Sequence, residues 1–304
     1  MHDGRRLNIA KSALLHLKSA EQRTSSCRAC ARPRDRSRMN FLPREHGATA
    51  MALTPFACVA ILARAWRWSE LLLPIAVFSA LAAKDPAVLL VRQRFIWKHE
   101  HPDAPLAAKW LAVWFSALIV SAVLLLLDWP LKAVLWMGFG IGCFSLLAVA
   151  VNVRNHQRSV LFQLASGAAL TSSSLATCLS ATGVIAPWCW WFWALSTAQA
   201  FAGILVVRAR LDARLALRGT PPPDQTFRKA AMWSIGLLAC AAVTATILRK
   251  GWIAVAIILA VVGYWYDLRA QTQKMSLQMP LMVVGQRSLA LSLLYSGRLI
   301  LGFW

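Results

Sequence analysis

The stretch LAVWFSALIVSAVLLLLDWPLKAVLWMGFGIGCFSLLAVAV, residues 111–151, decides the fold class. Its charged residues are Asp128 and Lys132, which lie together near its centre beside Trp129 and Pro130. On each side of this polar turn stands an apolar segment of about 20 residues, which is the length that an α-helix needs to cross a bilayer. The stretch therefore predicts two membrane-spanning helices joined by a tight turn.

Similar apolar segments recur along most of the chain. The 304 residues are 58% hydrophobic and 15% charged, whereas an ordinary soluble domain is roughly 25% charged. The mean hydropathy is +0.53, and this composition excludes a disordered chain and an ordinary soluble globule. We predict an all-α, polytopic membrane bundle with nine spans, at residues 47–63, 71–91, 110–128, 132–151, 160–181, 184–207, 230–248, 251–267 and 281–302.

The formal net charge is +21, from 33 Lys and Arg against 12 acidic residues. These charges lie at the ends of the apolar segments instead of along one face, so we do not expect nucleic-acid binding. The predicted loops on the side of the N-terminus hold fourteen Lys and Arg, and those on the other side hold five. The positive-inside rule thus predicts a cytoplasmic N-terminus and, with nine spans, a C-terminus outside a bacterial inner membrane.

Residues 1–38 differ in composition from the rest, because they hold ten Lys and Arg and no apolar run. We interpret them as a basic disordered extension, with Met39 as an alternative start, so that residues 39–304 form the transmembrane domain. Cys27 and Cys30 form a single CxxC motif without a second pair, which favours an unstructured segment over a metal or redox site. The seven cysteines are scattered through the chain and predict no disulfide framework.

Two of the predicted helices end in the same pattern. The sequence VRQR, residues 91–94, and the sequence VRAR, residues 207–210, lie 116 residues apart, and a polar loop containing proline follows each. Such repetition is typical of membrane proteins built from two related halves, which would bring the two arginine pairs opposite each other. Converging guanidinium groups bind phosphate or carboxylate, but arginines at helix ends also simply orient a membrane protein. Both interpretations remain open for Arg92, Arg94, Arg208 and Arg210.

Charged residues at membrane depth are costly and are therefore candidates for function. Lys84 and Asp85 lie in the second span, and we do not expect them to pair through adjacency, since neighbours on a helix do not face each other. Lys84 shares nearly one face with Arg92, and the two could form the positive wall of an anion site with Lys84 deeper in the membrane. Alternatively, Lys84 extends its side chain to the interface. Arg287 in the ninth span needs a partner, for which Asp85 and Asp267 are the candidates.

The loop between the fourth and fifth predicted spans, residues 152–158, is unusually polar. It is either a plain charged turn or a clamp for a headgroup that uses Asn152, Arg154 and Arg158. Asp212 follows the second arginine pair, where it either pairs locally with an arginine or contributes to ligand binding.

Glu45 and His46 precede the first span and are the candidates for acid–base catalysis. The histidines of the chain do not show the three or four converging ligands that zinc requires, so no metal site is predicted. The segment PREHGATAMALTPF, residues 43–56, resembles the start of the YwiC-like membrane protein family. The polar loop VNVRNHQRS, residues 151–159, and the length after Met39 are similar too, so this resemblance covers roughly residues 40–304.

The layout also resembles the UbiA prenyltransferase superfamily. That resemblance implies nine helices, a cytoplasm-facing cavity and two Asp-rich motifs that hold Mg²⁺ on a prenyl diphosphate. Here the corresponding helix ends carry arginines, with Asp85 and Asp212 as the nearest acids. Two isolated aspartates cannot supply the oxygen ligands that two metal ions need, so the resemblance implies the fold and puts the metal-dependent chemistry in doubt.

We expect this protein to bind an anionic isoprenoid or lipid phosphate in a cavity that faces the cytoplasm, with membrane lipids as its other partners. An enzymatic role would be that of a transferase that uses guanidinium charge in place of metal; whether the protein is an enzyme, and with which cofactor, stays open. Two alternatives remain, a small-solute transporter built on repeats and a non-catalytic assembly subunit of a membrane complex.

Overall fold

The computed structural model describes residues 46–64, 67–98, 101–153, 159–217 and 225–304. The predicted basic extension, residues 1–38, the alternative start at Met39 and the CxxC motif lie outside these residues.

The apolar runs fold as α-helices, and no strand occurs within the described ranges. Prolines, glycines and polar residues stand in the turns between the helices, where they interrupt the helical pattern. A π-helical turn, Gln93–Trp97, continues the second helix. In chain order the helices are α1 His46–Ala63, α2 Trp68–Arg92, α3 Ala104–Leu125, α4 Leu131–Val153, α5 Val160–Thr171, α6 Ser173–Thr182, α7 Pro187–Leu217, α8 Thr226–Ile247, α9 Gly251–Ala270, α10 Lys274–Gln278 and α11 Leu281–Phe303.

Six helices in the described part of the chain are long and apolar enough to cross a membrane. They are α2 with its π-helical turn, α3, α4, α7, α8 and α9, and the apolar part of α1, Thr49–Ala63, is shorter. This confirms the predicted all-α, multi-pass membrane protein. The count of nine crossings and the two related halves stay predictions.

Contacts between helix ends show which helices finish together. At one end of the bundle, Arg92 at the end of α2 bonds to Asn152 at the end of α4, and Arg210 near the end of α7 binds α10. At the other end, the guanidinium of Arg64, after α1, lies 4.0 Å from the ring centroid of Trp304, after α11. We call the end where α2, α4, α7 and α9 finish the basic end, and the other the opposite end.

The predicted span 160–181 is not one continuous helix, because the chain breaks at Ser172 between α5 and α6. Side-chain hydroxyls donate hydrogen bonds to backbone carbonyl oxygens at this point. Thr171 Oγ1 donates to the carbonyl oxygen of Gly167 at 3.0 Å, and Ser172 Oγ donates to that of Ala169 at 2.7 Å. Hydroxyls that bond to the preceding turn compete with the backbone ladder and bend helices. The hydropathy of the segment could not reveal this break.

The cysteine prediction also needs a correction, since Cys178 in α6 and Cys189 in α7 form a disulfide. The two lie 11 residues apart in the sequence, across the tight turn that joins these helices at the opposite end. Both are buried. The scattered spacing of the cysteines in the sequence therefore did not exclude a disulfide between two of them.

The second part of the chain packs more closely than the first. A Cβ added at Gly302 of α11 would lie 2.5 Å from Cγ1 and 3.1 Å from the backbone nitrogen of Ile253 in α9. By contrast, Gly138 and Gly142 of α4 have no heavy atom that such a Cβ would meet within 4 Å. Small residues at a helix contact allow the backbones to approach, so α9 and α11 form a tight pair while α4 stands at the periphery.

Candidate anion-binding site

The arginines at the end of α2 are engaged with α4 or exposed. Nη2 of Arg92 donates a hydrogen bond to the carbonyl oxygen of Asn152 at 2.5 Å, and Asn152 Nδ2 donates to the carbonyl of Ala148 at 2.8 Å. The last carbonyls of a helix have no partner within the helix, so Arg92 caps the end of α4. Arg94 lies in the π-helical turn and is exposed.

Lys84 and Asp85 form a contact that the sequence analysis did not expect. Nζ of Lys84 lies 4.0 Å from Oδ1 of Asp85, whose side chain is 52% exposed. Long side chains can turn toward each other even where their Cβ atoms diverge, but an exposed ion pair contributes little to stability. Arg154 and Arg158 lie outside the described residues.

Arg210, near the end of α7, has quite different surroundings. It is 3% exposed, and its Nη2 donates to the carbonyl oxygen of Ser276 at 2.5 Å and to the hydroxyl of Ser276 at 3.1 Å. One turn later, Nε of Arg214 donates to the carbonyl oxygen of Leu277 at 2.5 Å. Because residues four apart share a helix face, these bonds hold the short helix α10 against α7.

Helix α9 is tied to the same part of α7. Nε2 of Gln271, just after α9, donates to the carbonyl oxygen of Val206 at 3.0 Å. Asp267 lies one turn before Gln271, and its carboxylate interacts electrostatically with Arg210 and Arg287. Of the two partners that the sequence offered for Arg287, the structure thus brings Asp267 near it.

We call Arg210, Arg214 and Arg287, together with Asp267, the arginine cluster. Around Arg210 in the described part of the chain, the charges of Arg214 and Arg287 are repulsive, and that of Asp267 is attractive. Counted as formal charges, the cluster holds three positive groups and one negative group. In addition, Nε of Arg210 is buried and has no hydrogen-bond partner among the described residues. An anionic oxygen would satisfy that donor and lower the charge excess.

The remaining predicted site residues differ in burial and do not form one group with Arg210. Arg208 and Asp212 are half-buried, and both make contacts of their own. Arg287 is exposed. The charged groups whose effect on Arg210 is resolved come from α7, α9 and α11, and the arginines of α2 are not among them. Glu45 lies outside the described residues, as does the side chain of His46. Within the described ranges, no group of three or more His, Cys, Asp or Glu side chains could hold a metal ion.

The sequence analysis missed one buried acid, Glu70 in the first turn of α2. This residue is 0% exposed, and neither of its carboxylate oxygens has a hydrogen-bond partner within the described ranges. The predicted second span begins at residue 71, one position after it. The available signal was an acid next to the apolar run that begins at Leu71, in a chain with few acids.

The fold and its charge distribution define a polytopic α-helical membrane protein with a basic end. Residues 42–180 match the model of the family described as YwiC-like protein, which confirms the predicted resemblance over that part of the chain. No curated protein and no solved structure matches the chain. The matched part runs from α1 into α6 and ends before α7. The likeness to UbiA prenyltransferases stays a prediction.

Proposed function

We propose that this protein binds an anionic amphiphile, such as an isoprenoid or lipid phosphate, with its headgroup in the arginine cluster. The observation that carries the proposal is the state of Arg210, a buried guanidinium whose Nε lacks a partner among the described residues. A buried donor without an acceptor costs about 1–3 kcal/mol, and more for a charged group. A phosphate oxygen bound at Nε removes that cost.

The balance of charge supports the same ligand. Arg214 and Arg287 repel Arg210, and Asp267 attracts it. Counted as formal charges, the arginine cluster holds three guanidinium groups against one carboxylate. Charged groups inside a membrane protein are expensive unless they pair with a counter-charge or mark a ligand site. A phosphate with one or two negative charges compensates the excess, and guanidinium groups bind phosphate oxygens in pairs.

An amphiphile fits this site better than a free anion in water. Arg287 is exposed on α11, a helix whose other exposed side chains include Met282, Leu289 and Leu293. A headgroup can therefore contact Arg287 while its chain lies along these apolar side chains. The chain also holds the amphiphile in the membrane, where each buried CH₂ group contributes about 0.8 kcal/mol to partitioning, whereas a free anion stays in water.

We further propose that the arginine cluster faces the cytoplasm of a bacterium. The predicted excess of Lys and Arg at the basic end supports this orientation. The disulfide between Cys178 and Cys189 lies at the opposite end, and disulfides persist on the oxidising side of a membrane. A second, weaker anion-binding surface would then lie on the same side. Its basic residues are Lys84, Arg92, Arg94 and Arg208, and Asn152 adds a neutral hydrogen-bonding group.

A test is native mass spectrometry of the purified protein in mild detergent with farnesyl phosphate and dioleoyl phosphatidic acid as probes. Dioleoyl phosphatidylcholine serves as the probe without net charge. We expect both phosphate monoesters to bind without Mg²⁺, and Arg287→Gln to weaken binding by about tenfold or more, since a charge-assisted hydrogen bond is lost.

The matched control is Arg94→Gln, which removes an exposed arginine at the end of α2. It should leave the affinity for both probes unchanged. Equal weakening by the two variants would contradict the assignment of the headgroup to the arginine cluster, and binding that requires Mg²⁺ would contradict the metal-free site.

A transporter for a small solute is the second candidate, and the break at Ser172 supports it. Interrupted helices near the middle of a bundle are typical of transporter binding sites. Thr171 Oγ1 lies 2.7 Å from Thr197 Oγ1 beside this break, and both side chains are buried. Uptake of a solute into proteoliposomes, abolished by Thr197→Val but not by Arg287→Gln, would favour this function over binding of an amphiphile.

A further inference from the structure

Glu70 is a buried carboxyl group at the opposite end of the bundle, far along α2 from the arginines. It lies in the first turn of α2 and is 0% exposed, as is its neighbour Ser69. Neither Oε1 nor Oε2 has a hydrogen-bond partner in the described part of the chain. The function proposed for the basic end makes no use of this group.

The face of α2 that carries Glu70 packs into an apolar cluster one turn later. Leu73 lies three residues later on the same face of α2 and packs with Leu125 and Trp129. Nε1 of Trp129 is buried and also lacks a partner among the described residues. The preceding residue, Ser69, is also buried, and its hydroxyl lies 3.5 Å from that of Ser180 in α6.

On the elements that pack against α2 at this end, the charged groups stand before α2, after α1 and between α3 and α4, and α6 carries none. Arg67, just before α2, acts electrostatically on Glu70. Arg64 follows α1 and lies over the ring of Trp304. Asp128 and Lys132 stand in the turn between α3 and α4, and α6 presents its disulfide. The four charged side chains are exposed and are therefore screened by solvent or headgroups.

We propose that Glu70 is a proton-binding site. An ionised carboxylate without partners is very costly to bury, whereas the neutral acid is not. When the proton leaves, the positive dipole at the start of α2 favours the anion. A metal cation would need several converging oxygen ligands, and the apolar neighbours do not supply them. Glu70 thus exchanges a proton with the compartment at the opposite end.

The test is labelling with dicyclohexylcarbodiimide, an apolar reagent that reacts with protonated carboxyl groups inside membrane proteins. The whole chain is reconstituted in phosphatidylcholine vesicles, labelled, digested and analysed by mass spectrometry. We expect a covalent adduct on Glu70 whose yield falls at least about tenfold between about pH 6 and about pH 9, because buried carboxyl groups can hold a proton into this range. The variant Glu70→Gln should give no adduct on this peptide.

Asp128 supplies the internal control, since it is exposed at the same end. It should react with a water-soluble carbodiimide and not with the apolar reagent. The thermal midpoint of Glu70→Gln should stay near that of the parent chain, which shows that the variant folds. A folded protein that gives no adduct on Glu70 while Asp128 reacts would overturn the proposal. Labelling of Glu70 whose yield does not change with pH would also overturn the proposal. Protection of Glu70 from labelling by Na⁺ but not by choline, at constant pH, would overturn it too, because it would indicate a metal-cation site.

Discussion

The ends of α2 and α7 carry nearly the same sequence, VRQR and VRAR, yet their arginines have different roles. Arg92 is half-buried and caps a neighbouring helix, and Arg94 is exposed. Arg210 is buried, binds α10 through Ser276 and still has an open Nε. A short repeated motif therefore predicts that an arginine stands at a helix end, but the partner helices decide what that arginine does.

The difference follows from what comes after each helix. The chain leaves α2 through a π-helical turn, and Arg92 donates a hydrogen bond to Asn152 at the end of α4. Near the end of α7, the chain between α9 and α11 folds back as α10 and covers Arg210. Only the second arrangement removes a guanidinium from solvent and surrounds it with other charges, which is the condition for a strong anion site.

The largest expected effect is that of Arg210→Ala. The change removes two hydrogen bonds to Ser276 and opens a cavity between α7 and α10, so the free energy of unfolding should fall by about 2–3 kcal/mol. Thermal unfolding in mild detergent, followed by the fluorescence of a thiol-reactive dye or by circular dichroism, measures this loss. An unchanged midpoint would show that α10 is held by other contacts.

Arg92→Ala should have a smaller effect, of about 1 kcal/mol, because Arg92 is only half-buried and its hydrogen bond to the carbonyl of Asn152 lies at a half-buried helix end. The change should also speed amide hydrogen exchange in the last turn of α4, measured by mass spectrometry, and leave the exchange of α10 unaffected. A loss of stability as large as that for Arg210→Ala would contradict the contrast between the two helix ends.

The smallest effect is expected for Arg94→Ala. An exposed side chain without a structural role changes stability by no more than about 0.5 kcal/mol. The same unfolding measurement checks this value. If this variant proves as destabilising as Arg92→Ala, then the π-helical turn takes part in holding α4.

Much of the fold could be predicted, because apolar runs of bilayer length dictate helices whatever packs against them. Each predicted span corresponds to a helix or, for residues 160–181, to the pair α5 and α6. The break at Ser172 could not be predicted from hydropathy, since Thr171 and Ser172 are tolerated inside helices and bend them only through particular hydrogen bonds. The disulfide required knowing that α6 and α7 turn back on each other.

Less of the candidate site could be predicted. The sequence indicated Arg210 and Arg287 as functional candidates and Asp267 as a partner, because charges in apolar spans are rare. It did not indicate Arg214 or Ser276, because the contacts between α7 and α10 depend on how α10 folds back. It also missed Glu70, because burial at the end of a span is decided by the neighbouring helices and not by local composition.

The most direct test of the central claim is to find where a bound headgroup lies. A phosphatidic acid analogue with a photoreactive diazirine next to its phosphate is bound to the purified protein, irradiated and mapped by mass spectrometry. We predict crosslinks to residues 274–287, on α10 and the start of α11, that are lost in Arg287→Gln and kept in Arg94→Gln. Crosslinks centred on residues 92–98 instead, unaffected by Arg287→Gln, would contradict the assignment of the anion to the arginine cluster.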